Sequence, residues 1–123
     1  MTSDNRLTFK EMCAKFDVTP RTLRYYEYIE LLSPERDGRS RFYHPREVAR
    51  MKLIMRGRKF GFSLEDIRQW LDMYNSDPQN RAQMEAMIAF ADGQMEELQN
   101  RRQQIEEAIS ELQALRDQVA KGL

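Results

Sequence analysis

The sequence predicts a mainly α fold in two parts: a helical head with a small β wing, then one long coiled-coil helix. Three observations predict it. Two short amphipathic helices follow one another near the start, separated by a turn of a few residues. An arginine-rich stretch with an Asp37-Gly38 pair interrupts the helical pattern. Residues 79–120 then hold no proline and one glycine, with apolar residues at alternating steps of four and three. A chain of 123 residues suits a small domain plus one long element, and we place the boundary so that 1–75 form the head and 76–123 the long helix.

Thr8-Phe9-Lys10-Glu11 is a capping box, in which the Thr hydroxyl and the Glu carboxylate satisfy amides that the first turn leaves unpaired. Phe9, Met12, Cys13 and Phe16 fall at i, i+3, i+4 and i+7 and predict one buried face, with Cys13 as a core thiol. Asp17-Val18 makes the turn. Thr19 then caps a second helix that has Pro20 at its first position. Leu23 and Tyr26 face the first helix, while Arg21, Thr22, Arg24 and Tyr25 project outward, which is the helix-turn-helix pattern. Asp37-Gly38 suits a hairpin turn between short strands, a wing carrying Arg36, Arg39 and Arg41; the bland alternative is a solvated loop.

His44-Pro45 opens a third helix with Val48, Met51 and Ile54 inward and Arg46, Arg50, Arg56, Arg58 and Lys59 largely outward. For His44, a capping or surface role is expected ahead of metal binding. After Gly61-Phe62, Ser63 caps a fourth helix whose apolar face is Leu64, Ile67, Leu71 and Tyr74, with Trp70 beside it. Asn75-Ser76-Asp77-Pro78 closes it. In the long helix Met84, Ile88, Ala91, Met95, Leu98, Ile105, Ile109, Leu112 and Val119 form a seam of about five heptads, interrupted by Arg102 and Arg116. Such a seam needs a partner helix, and a second copy of the chain is the simplest source. Ile88, Met95, Leu98, Ile105, Ile109 and Leu112 are the candidate dimer residues.

Composition narrows the function. Twenty basic and twenty acidic residues cancel overall. Residues 21–61, however, carry 11 Lys/Arg, 9 of them Arg, against 5 Asp/Glu, so one face of the head is expected to be basic. No apolar run approaches a membrane span, no leader-like segment opens the chain, and the expected location is the cytoplasm. One cysteine and one histidine exclude an intrachain disulfide and a thiolate metal cage. With no glycine-rich nucleophile turn, no catalysis, cofactor or metal is expected.

Taken together, Thr22-Leu23-Arg24-Tyr25-Tyr26-Glu27, Leu31-Leu32-Ser33-Pro34, Gly38-Arg39-Ser40-Arg41-Phe42-Tyr43 and Gly61-Phe62-Ser63-Leu64-Glu65-Asp66-Ile67 resemble the mercury-resistance-regulator (MerR) family of bacterial transcription factors. The resemblance covers about 7–75, and the long helix after it also matches the family's arrangement. It implies winged-helix heads on an antiparallel coiled-coil homodimer that reads a palindromic site in promoter DNA. It also implies distortion of the duplex that realigns the recognition elements of RNA polymerase. Arg24 and Tyr25 would belong to the recognition helix, Arg41 and Tyr43 to the first wing, and Arg58 to the basic end of the third helix near a second wing. The family often has glycine where this chain has Glu30.

The family's cysteine-bearing sensor tail and extra drug-binding domain are not expected here, so any signal would be a small organic molecule or a partner. The joint near Trp70, Met73, Tyr74, Met84, Met87 and Phe90 is its candidate receptor, because methionine and aromatic side chains line adaptable apolar cavities. The plain alternative is that they seal the joint. A further resemblance, to members that regulate leucine, isovalerate and acyl-CoA breakdown, suggests an acyl thioester. Two other functions compete with the regulator: a protein-interaction module that keeps the fold without touching DNA, and an architectural DNA-bending protein.

Overall fold

The computed structural model describes residues 5–74 and 81–123, without the side chains of Tyr74 and Gln83. The chain forms two compact units, 1–76 and 77–123. The expected closing turn Asn75-Ser76-Asp77-Pro78 lies outside the described residues.

The first unit begins with β1 (Leu7–Thr8), which runs directly into α1 (Phe9–Phe16). Thr8 is the N-cap of α1, and the capping box closes in both directions: Thr8 Oγ1 accepts from the Glu11 amide at 3.1 Å, and Glu11 accepts from the Thr8 amide at 2.8 Å. A cap of this kind stabilises a helix by about 1 kcal/mol, a large contribution to an element of 8 residues. Asp17 ends the helix in the left-handed region at φ 52°, which a short polar side chain tolerates. Thr19 caps α2 (Pro20–Tyr28) through the Thr22 amide.

β2 (Glu35–Asp37) and β3 (Ser40–Tyr43) form the hairpin, with Asp37 opposite Ser40 and Gly38 at φ +63° in the two-residue turn. The expected two-stranded ribbon is part of a three-stranded antiparallel sheet of order β1-β3-β2, in which Leu7 pairs with Tyr43 and Thr8 with Phe42. A two-residue strand has no periodicity of its own, so sequence pattern does not reveal it. Leu31 and Leu32 lie outside the ribbon and are buried in the core with Met12, Leu23, Tyr26, Met51 and Ile54.

α3 (Pro45–Lys59) and α4 (Leu64–Tyr74) close the head. The Ser63 hydroxyl caps α4 through the Asp66 amide at 3.1 Å. Gly57 is buried in α3, and a Cβ there would stand 2.8 Å from Ile67 Cγ1 on α4. A larger residue at this position would have to displace the Ile67 side chain. Two positions, Cys13 and Arg50, differ from expectation. Cys13 is half-buried rather than fully internal, and desolvation pushes its thiol up. His44 has the expected surface place, exposed at the N-cap position of α3; its side chain makes no cap hydrogen bond, and its Nε2 lies 2.7 Å from Glu35 Oε1. Arg50 turns inward, its Nε donating to the Leu31 carbonyl at 2.5 Å.

The second unit contains α5 (Arg81–Lys121), 41 residues in one helix, about 60 Å long at 1.5 Å per residue. Ion pairs four residues apart, Arg81–Glu85 and Glu97–Arg101, lie on its surface; each adds a few tenths of a kcal/mol to the helix. Ile88, Met95, Ile105, Ile109 and Leu112 are each more than half exposed, and Leu98 is also exposed.

Candidate nucleic-acid interface

α2 places Arg21, Arg24, Tyr25 and Tyr28 at i, i+3, i+4 and i+7, one stripe of the helix. All four are exposed, Tyr28 at 83%. Sequence reasoning stopped at Tyr25 and missed Tyr28, although its spacing from Arg21 is the signal. Thr22, expected to face outward with them, is half-buried, and its hydroxyl is 3.0 Å from that of the N-cap Thr19. Its side chain is thus engaged in starting the helix.

The turn after α2 sets the angle between this helix and the wing. Glu30 stands there at φ 64°, the left-handed conformation that favours glycine. Two arginines from the rest of the head hold the turn: Arg50 donates to the Leu31 carbonyl and Arg68 Nη2 to the Ile29 carbonyl. Arg68 thereby satisfies the carbonyl of the C-cap residue, which a helix end leaves without an intrahelical partner, and Arg50 satisfies one in the turn beyond it.

Glu27 ties the recognition helix to the wing. Its carboxylate is only 5% exposed, accepts a hydrogen bond from the Tyr43 hydroxyl, and lies 2.7 Å from Arg41 Nε and 3.4 Å from Arg36 Nη2. Tyr43 is fully buried; desolvation, reinforced by the Glu27 carboxylate, pushes its phenol far above its ordinary value. The expected contact of Tyr43 with DNA is therefore corrected. Strand alternation puts Arg41 and Tyr43 on the same face of β3, and that face meets α1 and α2 rather than solvent. Arg41 keeps 25% of its side chain exposed, so it is a braced rather than a freely extended arginine.

On the other face of the hairpin Arg6 stacks over Phe42, 3.8 Å from the ring centroid, and pairs with Glu35 at 2.9 Å. The His44 and Arg6 hydrogen bonds hold the Glu35 carboxyl below its usual range. Arg39 at the wing turn and Arg58 near the end of α3 are exposed. Among the described residues no group of three or more His, Cys, Asp or Glu is arranged to hold a metal ion.

Of the expected effector residues, Trp70 belongs to an aromatic cluster in the first unit, 5.4 Å from Phe62 and 6.3 Å from Phe60 between ring centroids. Met84 on α5 is exposed, Met87 and Phe90 are half-buried, and the side chain of Tyr74 lies outside the described residues.

Two family profiles match the chain: the MerR HTH family regulatory protein over residues 7–74, and the MerR DNA-binding profile over 48–121. The chain belongs to the MerR family. The family's characterised members are transcription regulators rather than enzymes. Among MerR relatives, the HTH-type transcriptional regulator ZntR of Escherichia coli K12 is 34% identical over 107 residues, which cover 85% of this chain and 70% of that protein. A MerR-family regulator from Bacillus cereus superposes with a TM-score of 0.69 at 26% identity, covering 85% of this chain and 75% of the other. HiNmlR, described as a MerR family regulator lacking the sensor domain and solved bound to promoter DNA, has the same fold at a TM-score of 0.62 and 18% identity, covering 85% of this chain and 79% of its own.

Proposed function

We propose that this MerR-family regulator acts as a homodimer that binds a palindromic operator in promoter DNA and distorts the duplex, working with RNA polymerase at the same promoter. The observation that carries the reading is the exposed stripe Arg21, Arg24, Tyr25 and Tyr28 on α2, set beside wing arginines. Guanidinium forks suit phosphates and guanine edges, and tyrosine hydroxyls suit phosphate oxygens. Arg21, Arg24, Arg39 and Arg58 form the contact set, with Arg41 braced behind them. The DNA-free interaction module has no use for such an arginine set, and the architectural protein lacks the regulatory family that the profiles establish.

The apolar seam of α5 supports the dimer. Ile88, Met95, Leu98, Ile105, Ile109 and Leu112 would be a large exposed apolar patch on an isolated chain, and an antiparallel second copy covers them. The effector reading rests on resemblance alone: a small organic molecule, an acyl thioester as first candidate, acting in the cytoplasm where the DNA is. Titration with such compounds while following Trp70 fluorescence tests it, and an unchanged signal rejects it.

The decisive experiment for the main reading is retardation of promoter fragments across a salt series. Two heads neutralising roughly 6–10 phosphates give a log–log slope of about −5 to −9. A slope near zero, or no retardation at low salt, rejects DNA binding.

A further inference from the structure

Phe9 sits at the first position of α1, half-buried, where the sequence reading gave it only a core role. Its surroundings are unusual for a packing residue. The guanidinium carbon of Arg24, from the recognition helix, lies 5.4 Å from the ring centroid, and that of Arg41, from the wing, lies 5.2 Å from the same centroid. One aromatic ring thus receives a cation from each of the two elements expected to approach DNA.

Two like charges beside one ring need a reason to stay there. The negative face of the ring attracts each cation, and Glu27 at 2.7 Å from Arg41 Nε offsets one of them. Arg24 has no carboxylate within ion-pairing distance among the described residues. Arg41 Nε lies 2.7 Å from Glu27 as an ion pair without hydrogen-bond geometry, and its two terminal amino groups have no hydrogen-bond partner among the described residues. The site therefore carries a net positive charge, with two planar forks of donors at fixed positions. Its missing complement is an anion that accepts several N–H bonds, and the backbone phosphates of a duplex supply it.

We propose that Phe9 is a positioning residue for DNA binding: its ring holds Arg24 and Arg41 as a two-arginine grip on one stretch of phosphate backbone. This rests on the DNA-binding reading above. The ring aligns recognition helix and wing before DNA arrives, so the rotamer entropy of two long side chains is largely lost before the encounter. Leucine in its place fills most of the volume but has no quadrupole to hold a cation.

The test uses the full chain and a fluorescein-labelled duplex of mixed sequence, about 40 base pairs long, because phosphate contacts dominate non-specific binding. Phe9→Leu is expected to weaken binding about tenfold and to flatten the log–log salt slope by about 1 per head. Phe9→Trp, which keeps a cation-binding ring, is expected to retain wild-type affinity and slope. If the wild type binds and Phe9→Leu matches it in affinity and slope while melting earlier, the ring only packs and the grip is rejected, with DNA binding left intact. If the wild type itself fails to bind, the DNA reading falls and the grip with it. Should Phe9→Leu melt below the assay temperature, Arg24→Ala and Arg41→Gln in the wild-type background decide. Losses that are non-additive support a shared grip, and strict additivity rejects it.

Discussion

Replacing Tyr43 with phenylalanine separates an internal tyrosine from a DNA-contacting one. Tyr43 is fully buried and its hydroxyl donates to the Glu27 carboxylate, itself 5% exposed. Removing the hydroxyl keeps the ring in place and takes one donor from a buried anion. A hydrogen bond to a charged group contributes about 1.5–3 kcal/mol, and Arg41 at 2.7 Å remains as a partner for the carboxylate, so about 2 kcal/mol is expected. For a head of this size each kcal/mol moves the melting temperature by roughly 4–8 °C, so a drop of about 8–16 °C should be seen by circular dichroism. Alkaline titration adds a second signature. An unfolded tyrosine releases its proton near pH 10, whereas folded Tyr43 holds its proton to higher pH. Above about pH 10 the unfolded state therefore binds fewer protons, and stability falls with rising pH by up to about 1.4 kcal/mol per unit. Tyr43→Phe should remove this group's share of the alkaline loss. DNA affinity, measured well below the melting temperature, should stay near the wild-type value. Weakened DNA binding with an unchanged melting temperature would refute the internal role and restore Tyr43 to the phosphate-contacting set.

Three further outcomes are expected. Gly57→Ala should destabilise the head by about 1 kcal/mol in a denaturant melt: overpacking against buried Ile67, 2.8 Å from the new Cβ, costs roughly 1–3 kcal/mol. The helix-propensity gain of about 1 kcal/mol does not offset this fully, and a stabilised variant would contradict the close approach of α3 and α4. Glu30→Gly should raise stability by about 0.5 kcal/mol, since relief of the left-handed conformation, about 1–2 kcal/mol, exceeds the added freedom of glycine in the unfolded chain; an earlier melt would contradict it. Ile105→Asp with Ile109→Asp should give monomers in sedimentation, because a helix pair cannot accommodate buried, unpaired carboxylates; persistent dimers would place the interface elsewhere.

Local interactions explain what the sequence determined unaided. The Thr8–Glu11 box, the Thr19 cap with Pro20, and Ser63 over Asp66 each join groups three residues apart or fewer. Short-range spacing is all that such contacts need. The inward positions of Leu23, Tyr26, Met51 and Ile67 follow from helical periodicity in the same way, as does the uninterrupted α5. The outward stripe on α2 was legible by this rule as far as Tyr25, and the rule extends to Tyr28.

Tertiary structure alone decided the rest, because the deciding partners are far apart in the chain. Alternation in β3 shows that Arg41 and Tyr43 share a face. Only the pairing of Leu7 with Tyr43, and Glu27 waiting on α2, makes that face the inner one. Arg50 reads as a surface charge, and nothing in the spacing singles out Arg68, until they meet carbonyls 19 and 39 residues away. Gly57 marks a close helix approach only once Ile67 is opposite it, and Phe9 gathers two arginines only once α1, α2 and the wing have assembled. Charge and aromaticity are present in the sequence, but the direction of a long side chain is set by whichever buried donor, acceptor or ring the folded chain brings within its reach.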